Sequence, residues 1–159
     1  VRSTKPLDVI KLPCPSELKA IVLHPKIELK TMHAREILKN NVPLKKAINQ
    51  WGNLAAFISA LYTEDFDLMS RSLVDEIVEP MRSLLIPEFE KLKKAAMEAG
   101  ALGFGISGSG PSVYALANGI KDTNAIADAM SGNINQVGID FEIHISAINN
   151  QGIKVISYK

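Results

Sequence analysis

The chain has 159 residues, 47% of them hydrophobic and 22% charged, which is the composition of one folded globular domain rather than of a disordered or fibrous chain. Eighteen basic against seventeen acidic residues leave a net charge of +1, and the lysines are scattered, so no basic block offers itself to nucleic acid. Cys14 stands alone, so no internal disulfide can form; no apolar run is long enough to span a membrane, and a cytoplasmic location is the simplest expectation.

Residues 7–12 (LDVIKL) read as a strand or connector already under way. Residues 1–17 are therefore expected to be a link from a preceding domain, and the chain to be part of a longer polypeptide. Residues 18–23 (LKAIVL) carry apolar side chains for both faces of a sheet, as an inner strand does, and His24 and Pro25 end the run. Thr31 suits the N-cap of a short helix running to Asn40. Leu44, Ala47, Ile48, Trp51, Leu54, Ala55, Ile58 and Leu61 then recur at helical spacing. Lys45, Lys46, Asn49, Gln50 and Asn53 form the polar face of its first half, whereas residues 54–62 are apolar almost all round and predict deep burial. Trp51 reads as core packing, and Asn53, at the polar border, reads equally as a satisfied buried amide or as a ligand contact.

A third helix is expected over 64–77, stopping ahead of Pro80 because the residue before a proline is pushed out of the α region. Arg82 then falls in a connector. Pro87 suits a first helical turn and Gly100 a C-terminal stop, which frames a helix over 88–99. Residues 102–107 and 112–117 read as strands on either side of a glycine loop, and 122–137 as a weaker helix containing Gly132. Phe141, Ile143 and Ile145 alternate with Glu142, His144 and Ser146 as a half-buried last strand. With the middle helices condensed into one crossover the order is βαββαβ, an α+β ferredoxin-like sandwich with extra helices in its first crossover. No linker divides the chain.

The densest signal is GALGFGISGSGPSVYALA, residues 100–117. Glycines this close together persist where the chain takes positive φ or where something approaches its backbone. Gly103, Gly105 and Gly108 satisfy G-x-G-x-x-G, but a dinucleotide fingerprint opens a helix, and here Ser112, Val113, Tyr114, Ala115 and Leu116 extend as a strand. The protein-kinase glycine loop fails as well, with no H-R-D or D-F-G downstream. Backbone N–H groups of such a turn can still form a concavity that holds an anion. His24, His33 and His144 are too dispersed for a metal site, and His24, with no carboxylate partner evident, reads as structural.

Four stretches, HPKIELKTMHAREIL, WGNLAAFISALYTEDFDLMSRSL, EPMRSLLIPEF and GALGFGISGSGPSVYALA, together resemble the homoserine kinase branch of the GHMP small-molecule kinases. The resemblance covers nearly the whole chain and corresponds to the C-terminal half of those proteins. It implies ATP-dependent phosphorylation of the L-homoserine hydroxyl, on the way to threonine. It also implies that ATP and Mg2+ are bound mainly by an N-terminal GHMP domain, since the family's P-x-x-x-G-L-G-S-S-A-type phosphate loop is absent from these residues. This chain would then form one wall of an interdomain cleft and be inactive alone. Ser107, Gly108, Ser109 and Gly110 match the family's third motif, near the nucleotide phosphates. Arg35 and Arg82 match the two arginines that hold the substrate carboxylate through paired donors, and Thr31 matches a threonine near the substrate hydroxyl. The implied partners are L-homoserine and the N-terminal domain, with a homodimer left open. Two other readings stand beside this one. Another GHMP kinase, acting on mevalonate or a sugar, is opposed by the set Thr31, Arg35 and Arg82; a free-standing ferredoxin-like ligand-binding or regulatory module is the second.

Overall fold

The computed structural model describes residues 1–119, 122–152 and 155–157. A small hairpin of β1 (Ser3–Thr4) and β2 (Leu7–Asp8) precedes the main body. There, β3 (Leu18–Pro25) leads through α1 (Thr31–Glu36), α2 (Leu44–Thr63), α3 (Phe66–Ser72), α4 (Glu79–Arg82), a 3-10 turn (Ser83–Leu85) and α5 (Phe89–Glu98) to β4 (Gly103–Ile106). The loop after β4 returns in β5 (Val113–Asn118), followed by α6 (Thr123–Asn135) and β6 (Phe141–Ala147). The four-stranded sheet has the order β4-β5-β3-β6, and every neighbouring pair is antiparallel. This is the βαββαβ sandwich read from the sequence, with the extra helices in its first crossover.

Strand alternation divides the sheet into two faces. Ile21 and Leu23 of β3, Val113, Ala115 and Ala117 of β5, and Phe104 of β4 are buried with Phe89, Leu92 and Ala96 of α5 and Ile126, Met130 and Ile134 of α6. Phe89 and Phe104 meet edge to face, centroids 5.3 Å apart, the geometry the ring quadrupoles favour. On the other face Leu18 and Leu102 pack with Ala60, Leu61 and Met69 of α2 and α3. Asp65 caps α3 by accepting from the Leu68 N–H at 2.8 Å, and Asp122 caps α6 through the N–H groups of Asn124 and Ala125; each satisfies donors that a helix start leaves unpaired. Gly100, at φ 99, ends the turn after α5 as a C-terminal glycine does.

Gly103 is where β4 runs closest to the segment after α3. A Cβ built there would lie 2.6 Å from Cβ and Cδ1 of Leu73, inside any real contact distance. Gly103→Ala is therefore expected to lower the unfolding free energy by about 1–3 kcal/mol through overpacking. The measurement is denaturant unfolding, where the midpoint should drop with the slope unchanged; an unmoved midpoint would mean that Leu73 gives way freely.

Five expectations are corrected. Strand β3 continues through His24 and Pro25 rather than ending at them, because β6 pairs with both, to Glu142 and Phe141. Thr31 is the first residue of α1 and not its cap, Ala34 N–H bonding to Lys30 C=O at 3.3 Å, and α1 stops at Glu36. The helix expected over 64–77 is only Phe66–Ser72. Glu64, left-handed at φ 54, closes α2 instead, and Pro80 opens a new one-turn helix, at a position where its missing N–H costs nothing. Arg82 ends that helix rather than lying in a connector. The fifth concerns α2: its second half is only partly covered, with Leu54 57% and Tyr62 63% exposed, and Trp51 is 61% exposed rather than core. The physical reason is that α2 is tied to the segment after α3 through its amide face rather than its apolar one. Asn53 Nδ2 donates to Val74 C=O at 3.2 Å, Gln50 Oε1 accepts from the Glu76 N–H at 2.9 Å, and Asn49 Nδ2 donates to the Glu76 carboxylate.

Candidate active site

The turn between β4 and β5 is closed by its own backbone. Ser107 N–H donates to Ser112 C=O at 2.9 Å, and Gly110 N–H to Ser107 C=O at 3.0 Å. Gly108 and Gly110 take φ values of +62 and +81, which side-chain-bearing residues rarely adopt. Gly110 is also pressed from below, since a Cβ there would stand 3.3 Å from Ile86 Cδ1 and Leu29 Cδ2. Gly108 is different: no atom lies within 4 Å of where its Cβ would be. Its side toward the open is clear. Among the described residues the N–H groups of Gly108 and Ser109 have no backbone partner.

Arg82 ties this loop to α1. Its Nε donates to Ala34 C=O at 3.1 Å and its Nη1 to Gly108 C=O at 2.8 Å. One half-buried guanidinium thus joins the helix that bears Thr31 and Arg35 to the glycine loop. A guanidinium has five N–H donors, so with Nε engaged a two-point grip on a carboxylate falls to the terminal Nη1 and Nη2 groups. Arg35 and Thr31 are exposed. The structure therefore brings α1, Arg82 and residues 107–110 together in one region, through Arg82.

Below the loop lies a cavity of about 300 Å³, lined among others by Gln50, Phe57, Asp75, Glu79, Gly108 and Tyr114. Burial pushes the Tyr114 phenol above its ordinary pKa, and the carboxylates of Glu79 and Asp75 push it the same way, because each disfavours a phenolate. Glu79 is ion-paired with Lys93 of α5. Asp75 accepts from the N–H groups of Ile77, Val78 and Glu79, so it builds the turn from which α4 and Arg82 start. His24 has a partner that the sequence did not disclose: its Nδ1 lies 2.8 Å from Ser112 Oγ, at the foot of the loop. This agrees with a structural histidine. Sequence reasoning also missed Tyr114, whose neighbours Asp75 and Glu79 lie far from it in the chain, and Asp75, whose bonds reach only two to four residues on. Among the described residues no three His, Cys, Asp or Glu side chains gather to hold a metal ion, and no helix is long and apolar enough to cross a membrane.

Comparison with known proteins agrees with this architecture. Residues 43–136 match the family model described as GHMP kinases C terminal. The chain is 42% identical over 159 residues to homoserine kinase of Chlorobaculum tepidum, covering 99% of this chain and 49% of that protein. It is 38% identical over 130 residues to homoserine kinase of Pyrococcus abyssi, covering 82% and 43%. The crystal structure of homoserine kinase from Cytophaga hutchinsonii superposes with a TM-score of 0.92 at 46% identity, over 98% of this chain and 50% of that one. The phosphomevalonate kinase of Streptococcus pneumoniae shares only the fold, with a TM-score of 0.62 at 17% identity, over 86% of this chain and 41% of that one. The chain spans about half the length of the curated relatives it matches. With more than half of its residues matched by the family model, the chain belongs to the GHMP kinases, as their C-terminal domain.

Proposed function

We propose that the chain is the C-terminal half of an ATP-dependent kinase that phosphorylates the side-chain hydroxyl of L-homoserine. The relatives named above are homoserine kinases, and the observation that carries the reading is the Arg82 tether between α1 and the loop. A substrate carboxylate is held by the terminal Nη1 and Nη2 groups of Arg82 together with the exposed Arg35, as charge-assisted hydrogen bonds with directional geometry. Thr31, whose hydroxyl has no partner among the described residues, stands on the same helix and meets the substrate hydroxyl. The N–H groups of Gly108 and Ser109 face phosphate oxygens of the nucleotide, as a nest of amides does.

Phosphoryl transfer of this kind rests on positioning and charge stabilisation. This chain's part is to hold the acceptor at one end and the phosphates at the other, with one arginine setting the relation between them. ATP and Mg2+ are held mainly by the half of the protein that precedes this domain in its relatives; magnesium supplies charge neutralisation on the phosphates. No side chain of this domain is assigned as general base. The reading is tested with the full-length protein: ATP consumption should depend on L-homoserine and yield its phosphate ester. Turnover of mevalonate or a sugar in preference to homoserine overturns it.

Gly108 gives a sharper local test. Gly108→Val places a branched residue at positive φ, which is expected to lower stability by about 1–2 kcal/mol, with no clash inside the domain. Its branched side chain also projects over the free amides, so turnover should fall by more than about tenfold. Steady-state kinetics beside a denaturation curve separate the two effects, and a variant with normal turnover would reduce the loop to a strand connector.

A further inference from the structure

The glycine loop hangs at the rim of the sheet. Strand β4 is an edge with β5 as its one neighbour, so among the strands the loop reaches the rest of the sheet only across β5. The backbone pairing of β5 with β3 stops at Val113 and Leu23, and Pro111, on the loop side of Ser112, has no N–H with which to prolong it. One step further the register sets Ser112 opposite His24, and there side chains take over: His24 Nδ1 stands 2.8 Å from Ser112 Oγ. Ser112 also accepts the Ser107 N–H on its carbonyl at 2.9 Å. It is therefore the residue through which both limbs of the loop meet the third strand. The other side-chain tie is at the tip, from Arg82 Nη1 to Gly108 C=O.

We propose that His24 is a positioning residue for the nucleotide: through Ser112 it sets the direction in which the Gly108 and Ser109 N–H groups face the phosphates. The inference rests on the reading of the loop given above. A loop held only at its tip by Arg82 can pivot about that bond, because Gly108 and Gly110, both at positive φ, have a wide conformational range. A second bond at the foot removes the pivot. Amides fixed in advance need no reordering when an anion arrives, so the tie belongs to nucleotide affinity. The grip on the amino acid is made elsewhere, by Arg35 and Arg82. His24 touches no reacting group; it is half-buried on β3 and acts through Ser112 alone. The Ser112 hydroxyl both donates and accepts, so either tautomer of the ring makes the bond.

The test uses the full-length protein and two measurements, titration calorimetry with Mg2+ and a non-hydrolysable ATP analogue, and steady-state kinetics. His24→Leu should weaken binding of the analogue by about three- to tenfold, the worth of one hydrogen bond, and leave the KM for homoserine unmoved. Ser112→Ala should do the same, and the double variant no more than either alone, since the two residues serve one bond. His24→Asn, whose amide reaches the place of Nδ1, should restore binding; His24→Gln, which reaches the place of Nε2, should not. A merely structural histidine would instead lower the unfolding midpoint while the folded variants bind the analogue normally. That result overturns the inference, as does equal binding by the Asn, Gln and Leu variants. Should His24→Leu fail to fold, Ser112→Ala breaks the same bond and decides the matter. A wild type that binds the analogue but phosphorylates a different alcohol overturns the homoserine reading and leaves the His24 result standing; one that binds no analogue overturns both.

Discussion

Replacing Arg82 by leucine in the full-length protein is expected to damage the use of both substrates, whereas replacing Arg35 damages the use of one. Charge-assisted hydrogen bonds contribute roughly 1.5–3 kcal/mol each, so loss of either arginine's grip on the amino-acid carboxylate should lower kcat/KM for homoserine by about ten- to hundredfold. Arg82 does more, because it also holds Gly108 C=O and Ala34 C=O. Without it the loop loses its tie to α1, and the KM for ATP should rise by about tenfold, an energy of about 1.4 kcal/mol. Arg35→Leu should leave the KM for ATP where it was. Ala34 is fully buried, so its orphaned carbonyl also makes Arg82→Leu less stable by about 1–3 kcal/mol; the kinetics are therefore compared well below the unfolding midpoint. Lysine at 82 rescues only part, as one ammonium cannot reproduce a planar fork serving two carbonyls and a ligand. Identical profiles for the two variants would refute the tether as the link between the sites.

Larger still is the effect of removing the rest of the protein. The 159-residue chain, purified alone and given ATP with L-homoserine, should release no ADP above buffer, while the full-length protein turns over. The loop offers two free backbone amides for phosphate, and no glycine-rich segment among the described residues opens a helix toward a ligand as nucleotide sites commonly do. Fixing the two reactants relative to one another accounts for about 7–11 kcal/mol of such a barrier, and half a cleft cannot do it. A coupled ADP assay and direct detection of the phosphate ester are the measurements. Ester formed by the isolated chain, with contaminating kinases excluded by the Arg82→Leu control, would defeat the division of roles proposed above.

The sheet was legible because alternation is a local property. Ile21, Leu23 and the Val113, Ala115, Ala117 series all face one core, as their period of two requires. The middle of the chain was less so. Pro80 reads as a helix stop, yet the Asp75 carboxylate collects three N–H groups just upstream and so permits a fresh helix start with proline in its first turn. The period of α2 was also plain, but not its orientation. Apolar periodicity marks a face without saying whether this chain or another covers it, and here Gln50 and Asn53 found partners at residues 74–76 first. In the candidate site the glycine loop stands out by composition, and Arg35 and Arg82 stand out only through family resemblance. The tether itself spans 48 positions to Ala34 and 26 to Gly108, and the His24–Ser112 contact spans 88; nothing local encodes such distances.

The amide strap beneath α2 has a thermal consequence. Asn49, Gln50 and Asn53 join residues 74–76 by directional bonds between polar groups, so its local opening exposes amide and carboxylate more than hydrocarbon. Apolar exposure raises heat capacity and polar exposure lowers it. The free energy of opening the strap is therefore less curved in temperature than that of the two apolar cores. On cooling, apolar burial weakens and the strap does not, so the share of the three side-chain amides in holding the first half of α2 to the domain rises.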